Sequence, residues 1–264
     1  MIRLLVVGGG RMGHAFLGGL LRSAWAEPGE LAVVEPVASA RDELERRYPG
    51  VVVCAQGCAA EAAVLAVKPA DAEAACLTIQ GSGCRRVVSI AAGITLAQLE
   101  LWIGGDVVIL RAMPNTPALV GAGASALAGG PAVTEVDFTW AESVLSSLGV
   151  VARVPEYQLD AVTGLSGSGP AYVFLLAEAL VEAGVHEGLE REVSRLFAVQ
   201  TLLGSARLLA ETGESPEVLR AMVTSPGGTT AAALRVFESH GFRSAVLEAV
   251  AAAAARSREL GLKS

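Results

Sequence analysis

Six residues, Ile2-Arg3-Leu4-Leu5-Val6-Val7, run straight into Gly8-Gly9-Gly10-Arg11-Met12-Gly13, and an apolar helical pattern follows from about His14 to Leu21. An apolar β-branched run, G-x-G-x-x-G and a helix, in that order, form the dinucleotide-binding fingerprint. Each glycine has a separate task in it. Gly8 permits the tight turn, Gly10 lets a pyrophosphate approach the backbone, and Gly13 lets the helix pack against the strand. A chain that starts this way is committed to an α/β fold with a parallel sheet.

The rest of the first half keeps that rhythm. A second strand, Leu31–Val34, ends at Glu35, about twenty residues after the glycines, where an acid accepts hydrogen bonds from ribose hydroxyls and repels a 2′-phosphate. A solvated acid at a strand end is the plainer reading, and Arg41 close by in sequence would suit a 2′-phosphate, so the cofactor is NADH or NADPH. Further apolar runs at Ala63–Val67, Arg86–Ile90 and Val107–Arg111 suit parallel strands covered on both faces. They end in Lys68-Pro69, Ala91-Ala92-Gly93 and Met113-Pro114-Asn115-Thr116-Pro117. Ligands of open α/β sheets bind outside the carboxyl ends of the strands, so these segments are expected to rim a cofactor cleft. Strands near Ala122–Leu127 and Val150–Val154, around a helix from about Glu135 to Leu148, extend the sheet.

After Pro155 the strand signals stop. Helices are expected over Pro170–Ala183, Glu190–Glu211, Pro216–Met222, Thr229–Ser239 and Arg243–Leu260. Two domains follow: a Rossmann-type domain over 1–155 and an all-helical domain over 156–264. The helix through Ala171-Tyr172-Val173-Phe174-Leu175-Leu176 is apolar nearly all round, and a helix without a polar face must be central in its fold. About a hundred residues can hardly enclose several such helices, so a homodimer sharing its core is expected. The alternative is a compact five-helix bundle packed on the first domain.

Two hydroxyl- and glycine-rich strings stand out in the helical half. Val223-Thr224-Ser225-Pro226-Gly227-Gly228-Thr229-Thr230 carries a Pro-Gly pair suited to a tight turn, then hydroxyls able to cap the next helix. The free N–H groups of such a helix start bind small carboxylates. Asp160-Ala161-Val162-Thr163-Gly164-Leu165-Ser166-Gly167-Ser168-Gly169-Pro170 offers a similar arrangement. Each string also has a purely structural reading, as a capped helix or as glycines for close helix crossing.

Composition narrows the function classes. A net charge of -7 argues against non-specific nucleic-acid or anionic-membrane binding, and no uninterrupted apolar stretch reads as a membrane span. Cys54, Cys58, Cys76 and Cys84 lack zinc-site spacing and read as reduced fillers, and no two of the three histidines stand at ligand spacing. The expectation is a soluble cytoplasmic protein with no metal. There is no nucleophile elbow and no H-E-x-x-H, while Lys68 suits either a general acid or a cofactor contact. Hydride transfer to an already electrophilic substrate, such as a protonated imine, needs little beyond positioning and electrostatic complementarity.

The strings Val7–Gly13, Ala66-Val67-Lys68-Pro69, Ser89–Ile94, Arg111–Pro117, Leu165–Tyr172 and Val223–Thr230 closely resemble those of Δ1-pyrroline-5-carboxylate reductases, and the likeness runs to Arg256-Ser257-Arg258-Glu259-Leu260. The resemblance implies reduction of the cyclic imine 1-pyrroline-5-carboxylate to L-proline by NAD(P)H, the last step of proline biosynthesis. It also implies a helix-swapped homodimer, often assembled into a decamer. By position, Gly8, Gly10, Arg11 and Met12 would meet the pyrophosphate region. Ala66, Val67, Lys68 and Pro69, with Ala91, Ala92 and Asn115, would frame the path from adenosine to nicotinamide. Ser225, Gly228, Thr229 and Thr230 would bind the substrate carboxylate across the subunit boundary, and Thr163 would hydrogen-bond the ring nitrogen and assist its protonation. Glu35 departs from the residues that tolerate a 2′-phosphate in many members.

Two other readings remain open. A β-hydroxyacid dehydrogenase would place a catalytic lysine in the helical half, where only Lys263 stands. A non-catalytic dinucleotide-binding protein would keep the glycine turn without needing two hydroxyl-glycine strings.

Overall fold

A computed structural model describes residues 1–261 of the chain; Lys263 lies outside the described residues. The first half alternates as read from the sequence: β1 (Ile2–Val7), α1 (Arg11–Arg22), β2 (Leu31–Val34), α2 (Ala38–Arg47), β3 (Val52–Cys54), β4 (Ala60–Leu65), α3 (Ala72–Ser82), β5 (Arg86–Ser89), α4 (Leu96–Ile103), β6 (Val108–Met113), β7 (Gly123–Gly129), α5 (Glu135–Leu145) and β8 (Gly149–Arg153). They form one sheet in the order β3-β2-β1-β4-β5-β6-β7-β8, parallel throughout except where β7 runs antiparallel to β6. The first six strands follow the 3-2-1-4-5-6 order of dinucleotide-binding sheets, so the winding reverses between β1 and β4, the crevice where such folds take their ligand.

Strands covered on both faces explain the unbroken apolar runs. Leu4 and Val6 of β1 pack beneath α1 and α5 with Phe16, Leu17, Leu20, Val144 and Leu145. Leu5 and Val7 pack on the other face, against Cys76 and Ile79 of α3 and Leu99 and Ile103 of α4. β1 and β2 have the bounds the sequence suggested. β4 starts and ends earlier than Ala63–Val67, because its register against β1 runs from Ile2↔Ala60 to Val7↔Leu65. Ala66 and Val67 therefore leave the sheet at its carboxyl edge, the Ala66 N–H still bonded to the Val7 carbonyl at 2.8 Å.

The second half is helical: α6 (Leu159–Val162), a π-helical turn at Thr163–Gly167, α7 (Gly169–His186), α8 (Arg191–Thr212), α9 (Pro216–Met222), α10 (Thr229–Ser239) and α11 (Phe242–Gly261). Compactness divides the chain at points other than residue 155. One unit holds Met1–Ser168 and the described residues from Ala251 onward; the other is Gly169–Val250. In the second unit α7 and α8 cross closely at Gly184, where a Cβ would collide with Ser194 Oγ, and that hydroxyl donates to the Val181 carbonyl at 2.8 Å. This unit has almost no core. Ala198 is its one buried hydrophobic residue among the described residues, while Phe174, Leu175, Leu196, Phe197 and Leu247 are each 58–71% exposed.

Residues Glu156–His186 are long and apolar enough to span a bilayer by length and composition, with a mean hydropathy of 1.3 over the best window. The π-turn and α7 together supply length that neither string shows alone.

Candidate active site

The glycine turn sits at the carboxyl end of β1 and carries out its three tasks geometrically. Gly8 has φ +112°, and a Cβ on it would stand 2.5 Å from the Ala66 carbonyl oxygen. A Cβ on Gly13 would collide with the Gly8 carbonyl, which is why the helix can approach the strand only with glycine there. A Cβ on Gly10, by contrast, meets nothing within 4 Å. That open face fronts the start of α1, where Gly10 is the N-cap and no side chain caps it. His14 is the first residue whose N–H finds a carbonyl of the helix, that of Gly10 at 2.9 Å. The N–H groups of Arg11, Met12 and Gly13 thus precede the ladder, with no acid in the first turn. Free donors and the helix dipole make this a site for phosphate oxygens, and the turn fits a dinucleotide's pyrophosphate.

Glu35 is held against this turn. Its Oε2 accepts the Gly9 N–H at 3.1 Å and its Oε1 accepts the Val37 N–H at 2.9 Å. Arg41 is anchored beside it, one guanidinium nitrogen donating to the Glu35 and Pro36 carbonyls at 2.9 and 2.7 Å. The carboxylate's remaining lone pairs are where a ribose hydroxyl would donate. Farther along the carboxyl edge, Ala66 and Val67 follow β4, and Lys68 is exposed at the start of a short turn opened by Pro69. Ala91 is buried and Ala92 exposed in the loop after β5. That loop is braced by the end of α11, where Gly261 packs backbone to backbone on Gly93.

Asn115, expected on the cofactor path, also braces the backbone. Its amide lies on two backbone groups: Nδ2 donates to the Ser166 carbonyl at 3.1 Å and Oδ1 accepts the Ala124 N–H at 2.9 Å. The segment it holds also differs from the sequence reading. Thr163–Gly167 does not open a helix with free N–H groups; it continues α6 through an i→i+5 bond from the Ser168 N–H to the Thr163 carbonyl at 2.8 Å. Its glycines lie in a π-turn, a feature concentrated at functional sites. The Thr163 hydroxyl donates to the Leu159 carbonyl at 2.8 Å. Ser257 of α11 donates to Asp160 Oδ1 at 2.6 Å, a brace on the same helical segment that sequence alone gave no means of pairing.

In the other unit, Ser225–Gly228 forms the tight turn its Pro-Gly pair implied. Gly227 has φ +70°, and the Gly228 N–H donates to the Ser225 carbonyl at 3.1 Å. No hydroxyl caps α10, contrary to the sequence reading: Gly228 is the N-cap, since a side chain there would strike Ser225 Oγ. The N–H groups of Thr229 and Thr230 therefore open the helix uncapped by any side chain, with no acid in its first turn. Ser225, Gly228, Thr229 and Thr230 are thus together at one helix start.

The comparisons with known proteins bear on both halves. Residues 156–260 match the family described as pyrroline-5-carboxylate reductase dimerisation, and residues 3–93 match the one described as NADP oxidoreductase, coenzyme F420-dependent. The pyrroline-5-carboxylate reductase of Synechocystis is 45% identical over 266 residues, 99% of each chain, and that of Mycobacterium tuberculosis 44% identical over 287 residues, 98% of this chain and 97% of its own. This chain belongs to the pyrroline-5-carboxylate reductase family. Solved reductases agree in fold: that of Coxiella burnetii superposes with a TM-score of 0.91 at 37% identity, and that of Plasmodium falciparum, solved with NADP bound, with 0.85 at 30%, each covering 98% of both chains. As in other members of the reductase family, a Rossmann domain is followed by a helical dimerisation domain, and the chain is a homo-oligomer.

Proposed function

We infer that this chain is an NAD(P)H-dependent oxidoreductase that reduces the C=N bond of 1-pyrroline-5-carboxylate to give L-proline. The observation that carries the reading is near-full-length relatedness to enzymes of that name, 45% identity over 99% of the chain. The geometry supports it at each step. Gly8, Gly10, Arg11, Met12 and Gly13 hold the pyrophosphate, and Glu35 takes the adenosine ribose. Ala66, Val67, Lys68, Pro69, Ala91 and Ala92 line the path toward the nicotinamide, which supplies a hydride when bound. The uncapped turn Ser225–Thr230 takes the substrate carboxylate, and in this reading it is contributed by the partner subunit.

Thr163 acts on the ring nitrogen as a hydrogen-bond acceptor. Its own proton is committed to the Leu159 carbonyl, so toward a ligand the hydroxyl presents lone pairs. A neutral imine nitrogen also offers only a lone pair, whereas a protonated iminium offers an N–H donor. We therefore infer that the iminium binds. The proton arrives with the substrate, hydride adds to the ring carbon, and the C=N electron pair moves onto nitrogen to give the secondary amine. No general acid is needed, and Thr163 orients rather than protonates.

The assembly in this reading is a helix-swapped dimer, with the decamer as its further association. The coreless Gly169–Val250 unit supports it, since its half-exposed leucines and phenylalanines need cover that one chain does not supply. We assign the apolar surface of the 156–186 stretch to the partner and not to lipid, because Glu182 within it is bonded to Arg191 at 2.7 Å. A cytoplasmic location fits four free cysteines, with burial pushing the Cys58 and Cys76 thiols up to about 11. The deciding experiment is cofactor oxidation by the purified protein with 1-pyrroline-5-carboxylate, run separately with NADH and NADPH. Turnover with either supports the assignment, and no turnover with both overturns it.

A further inference from the structure

We propose that Asn115 is a positioning residue for the Thr163 hydroxyl, acting by clamping the Ser166 carbonyl of the π-turn to the start of β7. The proposal rests on the reading of Thr163 as the group that meets the ring nitrogen.

The reason lies in the chain four residues beyond Ser166. In an α-helix the Ser166 carbonyl would accept from the N–H of residue 170, but residue 170 is proline and has none. A proline ring also crowds the carbonyl four residues earlier and tilts it out of the helix. A carbonyl freed in this way needs a donor, because an unpaired backbone group away from water costs as much as a lost hydrogen bond. Asn115 Nδ2 supplies that donor at 3.1 Å.

The other end of the same amide is equally fixed. Oδ1 accepts the Ala124 N–H at 2.9 Å, in β7. One neighbour donates and the other accepts, so the planar amide has a single orientation, and only an amide of this length satisfies both. The bridge ties the flexible glycine-rich turn to the sheet. Thr163 begins that turn, and its carbonyl closes the i→i+5 bond that Ser166 lies within. Thr163 Oγ1 is locked in rotamer by the Leu159 carbonyl, so wherever the turn is held, the hydroxyl is held. With one N–H and one lone pair of the amide engaged on backbone, the side chain serves the reaction through this turn.

The test uses the full-length enzyme and four proteins: wild type, Asn115→Asp, Thr163→Val and the double variant. Asn115→Asp keeps the acceptor for Ala124 but sets an oxygen against the Ser166 carbonyl. It is expected to speed amide hydrogen exchange across residues 159–168 and lower kcat about tenfold, with the KM for NADH within about twofold of wild type. In the Thr163→Val background the same change should cost less than about twofold more in kcat, since the group it positions is already gone. Should Asn115→Asp fail to fold, Asn115→Ser removes the amide without adding charge and is read in the same way. Unchanged exchange over 159–168 overturns the clamp. A raised KM for NADH at full kcat would make Asn115 a cofactor contact, and effects that multiply in the double variant would remove the route through Thr163. Full kcat for Thr163→Val alone would sink the reading of that hydroxyl, whereas the exchange measurement decides separately whether Asn115 holds the turn.

Discussion

The Thr163 hydroxyl donates to the Leu159 carbonyl at 2.8 Å, one helical turn back along its own segment. That bond fixes the rotamer and leaves the oxygen an acceptor toward any ligand. Hydroxyls in helices often bond back in this way, and usually nothing more follows. Here the hydroxyl stands at the first residue of a π-turn, the position proposed above to meet the ring nitrogen.

Removing the hydroxyl while keeping the branched shape tests that role. Thr163→Val is expected to lower kcat by about ten- to a hundredfold with the KM for NADH unchanged, and Thr163→Ser to restore most of it. Steady-state kinetics on the three proteins decide it. A valine variant with full kcat would remove the hydroxyl from the mechanism.

The proposed carboxylate turn makes a different prediction, because a carboxylate clamp would bind ground state and transition state alike. Thr230 stands in the first turn of α10 behind an uncapped N-terminus. Thr230→Ala should raise the substrate KM about tenfold and leave the KM for NADH in place. An unchanged substrate KM would reject the anion role.

In the proposed reading, cofactor choice turns on Glu35. The Gly9 and Val37 N–H groups aim its carboxylate, and a 2′-phosphate brought to it would meet like charge. Glu35→Ser is therefore expected to raise kcat/KM for NADPH relative to NADH by about tenfold, with Arg41 left as the nearby cation. Initial rates with both nucleotides measure the ratio, and an unmoved ratio would refute the ribose assignment.

Much of this was legible in the residues, and the parts that were not have physical causes. β1, β2, α9 and α10 have the bounds read from the sequence, because apolar runs or Pro and hydroxyl signals mark their ends. β3 was missed: three residues after Pro49-Gly50 are too short to show a period, and its pairing to β2 supplies what propensity does not. The π-turn was missed because glycines argue against helix locally, while a donor to its Ser166 carbonyl comes from Asn115, about fifty residues earlier. Likewise the Ser257–Asp160 bond joins residues 97 apart, and nothing in either string names the other.

The helical unit predicts its own assembly. Leu175 is 67% and Leu247 71% exposed, in helices that bury almost nothing of their own. An apolar surface of that kind is what the interface of an obligate dimer covers. Leu175→Glu or Leu247→Glu should shift sedimentation at micromolar protein from oligomer to monomer, and abolish turnover if the carboxylate turn comes from the partner. A wild-type chain that sediments as monomer at that concentration would sink the shared core.

Asp137 offers a pH test within the Rossmann domain. It is buried, and burial raises its pKa, but hydrogen bonds from the Thr134 hydroxyl at 2.6 Å, the Thr134 N–H at 3.0 Å and Arg86 at 2.8 Å outweigh that and hold it below the usual carboxylate range. A carboxyl with a lowered folded pKa stabilises the fold above its unfolded value, and that stability is lost as pH falls through the folded one. Asp137→Asn would set an NH2 among three donors. It should cost about 2 kcal/mol at neutral pH, an unsatisfied charge-assisted site. The Tm gap between wild type and variant should be flat from about pH 8 to 5 and close below about pH 4, as the wild-type carboxyl takes up its proton. Thermal unfolding across that range measures it, and a gap that persists unchanged to pH 2 would mean that Asp137 contributes by shape and not by charge.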